Sequence, residues 1–454
     1  MYYFFLQELK MAKRLGFCHK VSRLFQPTNV VPAGAQVKNK DILSKSYKLM
    51  IDGGVIAHAQ NGFFYLLPLA TRALDKLTRL VDEHMMSIGA QKISCPTLTS
   101  SDIWEKTGRL SMAGSELFHL KDRHNKDFIL SPTHEESITQ MLASQPALSY
   151  KQLPLLLYQT TAKFRDEMKP RFGLLRTREF LMKDLYSFDT SAEAAQATYE
   201  LVSKAYHGIF NEIGVNYFKV RGLSGVMGGE VSHEFHFPAD IGDDTVRSCG
   251  DCGHGWNKET NENGPCEHCG SNNISESKGI EVGHMFILDT RYSAPLQATY
   301  TGADGGRQPL VMGSYGLGLT RILAAGLEVL SLPDQLRWPP ALAPYTLIII
   351  TPKEGSKESH STEHLSEELY WSLQEVRGLE GEVIIDDRSH LTIGRRLQEA
   401  RRTGYPLAAV VGKAAVGPVP AIELQNLITG QTTLHSLSDF VGVVADCSKV
   451  VAVQ

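Results

Sequence analysis

The sequence predicts an α+β body followed by a small α/β domain, and three observations carry that prediction. First, Thr161 to Asp184, "TAKFRDEMKPRFGLLRTREFLMKD", reads as a strand, a loop broken by Pro170 and Gly173, and an antiparallel return strand. Second, Pro333, Pro339, Pro340 and Pro344 crowd into residues 333–344, which predicts a linker. Third, after that linker the buried-strand runs "TLIIIT", "EVIID" and "LAAVV" alternate with the helical spacings Leu365, Leu369, Leu373, Val376 and Ile393, Leu397, Ala400. The expected organisation is a leader over residues 1–30, a body over 40–332, the linker, and a second domain over 345–454.

The leader rests on charge. The chain has 454 residues, 42% apolar and 21% charged, with a net charge of −4. Residues 1–40 carry seven bases against Glu8 alone, a net of +6, which leaves −10 for the remainder. "MAKRLGFCHKVSRLF" sets its bases among apolar residues at helical spacing, as in a mitochondrial presequence, and predicts import to the matrix. The other reading of this stretch is a basic tail on a cytosolic protein. No run of eighteen apolar residues occurs, so no membrane-spanning helix is expected.

Within the body, Leu74, Leu77, Val81, Met85 and Ile88 mark one face of a helix that Gly89 can end, and "QKISCP" reads as the strand that follows. "DFIL" reads as a strand, with Ser131 and Thr133 as candidate caps for a helix opening on Glu135 and Glu136. "QPLVMGSYGLGLTRILAAGLEVL" sets Gly313, Gly316 and Gly318 between an apolar strand and an apolar helix, and Gly316 and Gly318 allow close approach of a ligand.

Four of the seven cysteines are clustered. "CGDC" and "CEHC" place Cys249, Cys252, Cys266 and Cys269 as two C-x2-C knuckles in glycine-rich turns within residues 246–272. The spacing fits a closed tetrathiolate site for a structural Zn2+; the alternative is a metal-free loop that retains its thiols.

The opening ribbon carries chemistry. Read as a strand, "KFRDE" puts Arg165 and Glu167 on one face, a guanidinium for a phosphate beside a carboxylate for an exocyclic amine, while Phe180 on the return strand offers a ring to a base. F-R-x-E, loop, R-x-x-x-F resembles motif 2 of the class II aminoacyl-tRNA synthetases, "GSYGLGLTR" resembles their motif 3, and the helix, strand and Pro96 resemble motif 1. "SPTHEE", "YKQLP", "REFLMKD", "SHEF", "EVGH" and "DDR" narrow the resemblance to prolyl-tRNA synthetases of the bacterial and mitochondrial type, from about residue 45 to the end.

That resemblance implies an antiparallel catalytic sheet with flanking helices and an anticodon-binding α/β domain. It implies ATP, proline and tRNA(Pro) as substrates with Mg2+ as a cofactor, and a homodimer built on motif 1. Residue by residue, Arg165 would hold the α-phosphate and the proline carboxylate, Glu167 and Phe180 the adenine, and Arg176 with Arg321 the outer phosphates beside Gly316 and Gly318. Thr133 and Glu135 would receive the proline ammonium, with His284 lining the pocket. Read from charge alone, the ribbon residues Lys169 and Arg171 are candidates for the acceptor end of tRNA; Arg388, in a patch with Arg395, Arg396, Arg401 and Arg402, is a candidate for the anticodon, the alternative being a solvated helix face with ordinary salt bridges.

Two features depart from the bacterial pattern. Only about 45 residues lie between Phe237, just past "SHEF", and Glu281 of "EVGH", too few for the family's editing domain, and Ser314 stands where motif 3 often has cysteine. Rival readings are a non-catalytic synthetase-like accessory subunit, which would be expected to lose Arg165, Glu167 or Arg321, and a zinc-ribbon nucleic-acid-binding protein, which leaves the ordered motifs unexplained. A third is the same chemistry on threonine.

Overall fold

The computed structural model describes residues 17–27, 43–229, 231–362 and 364–451. In the body, helix α1 (Pro68–Ser87) opens on Pro68, whose missing N–H costs nothing at a helix start, and buries Leu69, Leu74, Leu77, Val81 and Met85. Gly89 follows at φ +80°, the left-handed turn that sends the chain into β1 (Gln91–Lys92). This strand is shorter than "QKISCP". Ile93 still bonds the Tyr158 carbonyl, but the Cys95 N–H turns to the Gln159 side chain at 2.8 Å and the ladder stops.

Next come β2 (Asp127–Leu130), α2 (Glu135–Ala143), β3 (Leu155–Phe164), β4 (Glu179–Asp189), α3 (Ala192–Ile213), β5 (Phe218–Arg221) and β6 (Val231–Pro238). The body closes with β7 (Asp244–Cys249), β8 (Gly255–Asn257), β9 (Ile274–Asp289), β10 (Val311–Gly318) and α4 (Leu319–Leu330). Nine of these strands form one sheet in the order β6-β5-β8-β7-β9-β10-β4-β3-β1. Its central strands β9, β10, β4 and β3 are antiparallel neighbours; only the short pairings of β1 with β3 and of β5 with β8 are parallel. Helices α1, α3 and α4 supply much of the core, with Leu77, Val81, Tyr206, Phe210, Ile322 and Leu323 packed against Phe235 and Phe237. Leu77 is fully buried, so Leu77→Ala costs about 2–5 kcal/mol.

The second domain is a five-stranded sheet of β11 (Leu347–Ile350), β12 (Val383–Asp386), β13 (Leu407–Val410), β14 (Ala421–Asn426) and β15 (Thr432–Ser436), in the order β12-β11-β13-β14-β15. Every residue of the three parallel strands is buried, because α5 (Leu365–Gln374) and α6 (Ile393–Thr403) belong to an α/β unit that covers apolar strands.

Residues 1–16 and 28–30 of the segment read as a leader lie outside the described residues; residues 17–27 are part of the fold. Ile385 donates to the His19 carbonyl at 2.9 Å, and Lys20 bridges Ile385 in parallel, so the strap covers the exposed edge of β12. Ser22 donates from both its N–H and its hydroxyl to Asp387, and Lys20 pairs with Glu367. Gln26 then reaches the Gly53 carbonyl at 2.8 Å, tying the strap to the body.

Candidate active site

Strands β3 and β4 pair from Leu155↔Phe188 to Phe164↔Glu179, so the antiparallel return expected from the sequence is present. The strand assignment to "KFRDE" is corrected. Strand β3 ends at Phe164, and Arg165 to Arg178 form the loop, held by Arg165 N–H to the Arg178 carbonyl at 2.9 Å. Arg165 and Glu167 therefore do not share a strand face. The ribbon is also not uniformly a surface. Lys163 and Lys183 are fully buried, Lys163 paired with Asp184 at 2.7 Å and Lys183 donating to the Tyr206 hydroxyl and the Tyr315 carbonyl.

A cavity of about 570 Å3 lies beside this unit. Eight of the expected residues line it: Thr133, Glu135, Arg165, Phe180, His284, Gly316, Gly318 and Arg321. Arg165 opens to the cavity with protein around it, its guanidinium 5.2 Å from the centre of the Phe180 ring. Arg165 is exposed at the cavity; desolvation first and the neighbouring Arg321 second lower its pKa. Arg321 is aimed by carbonyls, its Nε on Leu175 at 2.9 Å and its Nη1 on Glu281 at 3.1 Å. A Cβ at Gly316 or Gly318 would meet nothing closer than 3.5 Å, so their bareness leaves room on the cavity side.

Glu281 stands below Arg321. Burial opposes its charge, but His284, Arg321 and His236 overcome that and hold its pKa down to about 2. His284 is fixed at both nitrogens, Nδ1 on Glu281 at 3.0 Å and Nε2 on the Ser232 hydroxyl at 2.7 Å, and stacks on Phe286. It is a wall of the pocket.

At the other end, the Glu135 carboxylate is fully buried and takes three donors: Thr133 at 2.8 Å, Ser314 at 2.9 Å and Arg109 Nη1 at 3.0 Å. Thr133 thus serves Glu135 and does not cap α2. The N-cap is His134, which makes no side-chain capping bond, and Ser131 bonds Thr99 instead. Ser314 keeps the donor that its position demands. Arg109 was missed from sequence because "TGRLSMAG" has no local pattern; its importance appears only where the fold brings it against α2.

Glu167 and Arg176 stand outside the cavity lining and bond each other at 2.7 Å. Burial alone would raise the Glu167 pKa, but Arg176 and the Lys169 N–H hold it below the usual carboxylate range. Asp243 pairs with both Arg171 and Arg176, while Lys169 stays exposed. In the second domain Arg388 is bidentate on Asp386, at 2.9 and 2.7 Å, and bonds Glu399 at 2.7 Å. It lines a cavity of about 1150 Å3 between α6 and the helix Lys45–Asp52. Arg396, counted above in the basic patch, is buried against Thr351 and the Asp386 carbonyl and offers nothing to a ligand.

The knuckles occupy the β7–β9 excursion. The four sulfurs lie within 4.8 Å of one another, with 3.6 Å between Cys249 and Cys269 and between Cys252 and Cys266. Tetrahedral bonds of 2.3 Å to zinc would space sulfurs by about 3.8 Å, so the donor set fits that ion. His254 and His268 stack on each other outside the thiol cluster.

Residues 118–330 match the model of the tRNA synthetase class II core domain (G, H, P, S and T), and residues 346–446 match that of an anticodon-binding domain, so fold and cleft together define a class II aminoacyl-tRNA synthetase. The chain is 48% identical over 426 residues to a human protein named probable mitochondrial proline–tRNA ligase, covering 92% of this chain and 89% of that one. It is 37% identical to a Schizosaccharomyces pombe protein of the same name (84% and 88% covered) and 35% identical to a Sulfurimonas denitrificans proline–tRNA ligase (87% and 92%). The chain belongs to the proline–tRNA ligase family. A solved Giardia lamblia prolyl-tRNA synthetase shares the fold with a TM-score of 0.75 at 20% identity, over 90% of this chain and 79% of that one.

Proposed function

We propose that this chain activates proline with ATP, releasing pyrophosphate, and transfers the prolyl group from prolyl-adenylate to the 3′-terminal adenosine of tRNA(Pro). The observation that carries this reading is the convergence of Arg165, Arg321, Phe180, Thr133 and Glu135 on one cavity. An α-amino acid needs a cation at one end and an anion at the other, and the cavity has them: Arg165 for the carboxylate, buried Glu135 for the ammonium. ATP, with Mg2+ as its counter-ion, adds negative charge that the Arg165–Arg321 pair is placed to neutralise as the proline carboxylate displaces pyrophosphate. Glu167 and Arg176 reach the nucleotide once their mutual ion pair exchanges partners. Nothing requires a protein nucleophile.

Motif 1, in α1 and β1, would form the interface of a homodimer. Lys169 and Arg171 face the acceptor end of tRNA, and Arg388 orders the anticodon surface. The Cys249, Cys252, Cys266 and Cys269 set holds one Zn2+ per chain, which supplies the knuckles' folding energy. The protein works in the mitochondrial matrix, and its removable leader ends before Cys18, since the next residues pack onto β12. A catalytic enzyme is favoured over an accessory subunit because Arg165, Glu167 and Arg321 are all retained.

Between β6 and β9, residues 239–273 hold β7, β8 and the knuckles, too short a segment for an editing domain. Alanine, smaller than proline, is rejected only by lost apolar contacts of about 1–3 kcal/mol per methylene. The enzyme should therefore form alanyl-adenylate detectably and leave preformed Ala-tRNA(Pro) intact. The deciding assay is ATP–pyrophosphate exchange with each of the twenty amino acids. Proline should support it most strongly, whereas exchange with threonine alone, or with none, overturns the reading.

A further inference from the structure

Glu136 plays no part in the scheme above, yet it is fully buried one residue from Glu135. Two adjacent buried carboxylates are costly unless charge and hydrogen bonds compensate them. The compensating positive charge comes from one guanidinium nitrogen. Arg109 Nη1 lies 3.0 Å from Glu135, and 3.1 and 3.2 Å from the two oxygens of Glu136. Thr107 adds a hydroxyl to Glu136 at 3.1 Å. The Trp104 ring, 4.6 Å from the guanidinium carbon, and Tyr292, at 5.5 Å, fix the plane of Arg109, while its Nε has no partner. Arg109 and Glu135 line the cavity; Glu136 stands behind them.

Charge accounting gives this arrangement a purpose. Burial pushes the Glu136 pKa up to about 7 against the pull of Arg109, so its charge is present above that pH; with both glutamates ionised the trio carries −1, which the ammonium of proline brings to zero. Without the charge of Glu136, Arg109 and Glu135 already cancel, and a bound ammonium would leave an uncompensated positive charge in a dry site. The neighbouring Asp184 does not change the balance, because Lys163 is 2.7 Å away.

We propose that Glu136 and Arg109 are specificity-positioning residues for the amino-acid amine. Arg109 orients Glu135, and Glu136 cancels the charge of Arg109 so that Glu135 still attracts a cation. This rests on the reading of the cavity as the proline pocket.

The test is pyrophosphate exchange with KM measured separately for proline and ATP, with tetrahydrofuran-2-carboxylate as a competitive probe whose ring oxygen replaces the amine. Glu136→Gln should raise the proline KM about tenfold or more, leave the ATP KM within about twofold, and leave inhibition by the ether probe unchanged. The double variant Arg109→Met/Glu136→Gln restores the charge of −1 and removes both buried partners together. It should recover proline affinity relative to Glu136→Gln, and it serves if the single variant fails to fold. Glu136→Asp, which keeps the charge, should stay within about threefold of the parent. Equal losses for proline and the ether probe, an unchanged proline KM in Glu136→Gln, or a double variant no better than the single one would each overturn the proposal. A parent enzyme with no proline-dependent exchange would instead sink the pocket assignment beneath it.

Discussion

The cleft of the body and the arginine-rich face of the second domain are both basic in sequence, but the fold treats their guanidiniums in opposite ways. Among the described residues the Arg165 guanidinium makes no hydrogen bond or ion pair, and Arg321 is oriented by two carbonyls with the nearest Glu281 carboxylate oxygen 4.0 Å off. Arg388 is filled by Asp386 and Glu399, and Arg396 is consumed by Thr351 and a carbonyl. An arginine aimed by neutral groups keeps its charge for an anion that arrives later, whereas one satisfied by carboxylates builds the domain. A count of bases cannot separate the two.

The largest effect should come from the cleft. Arg321→Ala removes a preorganised donor from the phosphate side, and pyrophosphate exchange should fall about 10²–10³-fold with the melting temperature nearly unchanged. If Arg396→Ala instead lowers exchange while the fold stays intact, the contrast fails; it should lower the melting temperature and leave the KM for ATP alone.

Zinc removal comes next in size. Metal analysis should find about one Zn2+ per chain, and Cys252→Ser or chelation should unfold the β7–β9 excursion before the rest of the protein. Protein without metal whose thiols react freely and whose melting is unchanged by chelator would remove the site. The strap should matter less: deletion to residue 16 leaves stability unchanged, whereas deletion to residue 27 uncovers the β12 edge and lowers the melting temperature of the second domain. Smallest of all, Arg395→Ala breaks an exposed pair with Glu399 and should change stability by less than about 1 kcal/mol.

What could be read from the sequence follows the same division. The β3–loop–β4 unit, the glycine strand β10 and the parallel strands β11, β12 and β13 were legible because their signals are local: alternation, turn residues, runs of apolar residues. The pocket residues Thr133, Glu135, Phe180, His284 and Arg321 were legible only as an ordered set. Arg109 and Glu136 were not, because a buried charge is defined by partners distant in sequence. The strap was misassigned for a related reason: basic and apolar residues at helical spacing suit a presequence, and only the edge of β12 shows that Cys18 to Pro27 belong to the fold. Lys163 and Lys183 looked like ribbon until Asp184, Tyr206 and Tyr315 claimed them.

The most direct measurement sets one arginine from each region side by side. Arg165→Ala and Arg388→Ala are assayed together for proline-dependent ATP–pyrophosphate exchange, which needs no tRNA. The account predicts a loss of about a thousandfold or more for Arg165→Ala and a change within about threefold for Arg388→Ala, whose effect should appear only when tRNA is charged. Comparable losses in the two variants, or a near-normal Arg165→Ala, would contradict the claim that the unpaired guanidinium of the cleft performs the chemistry.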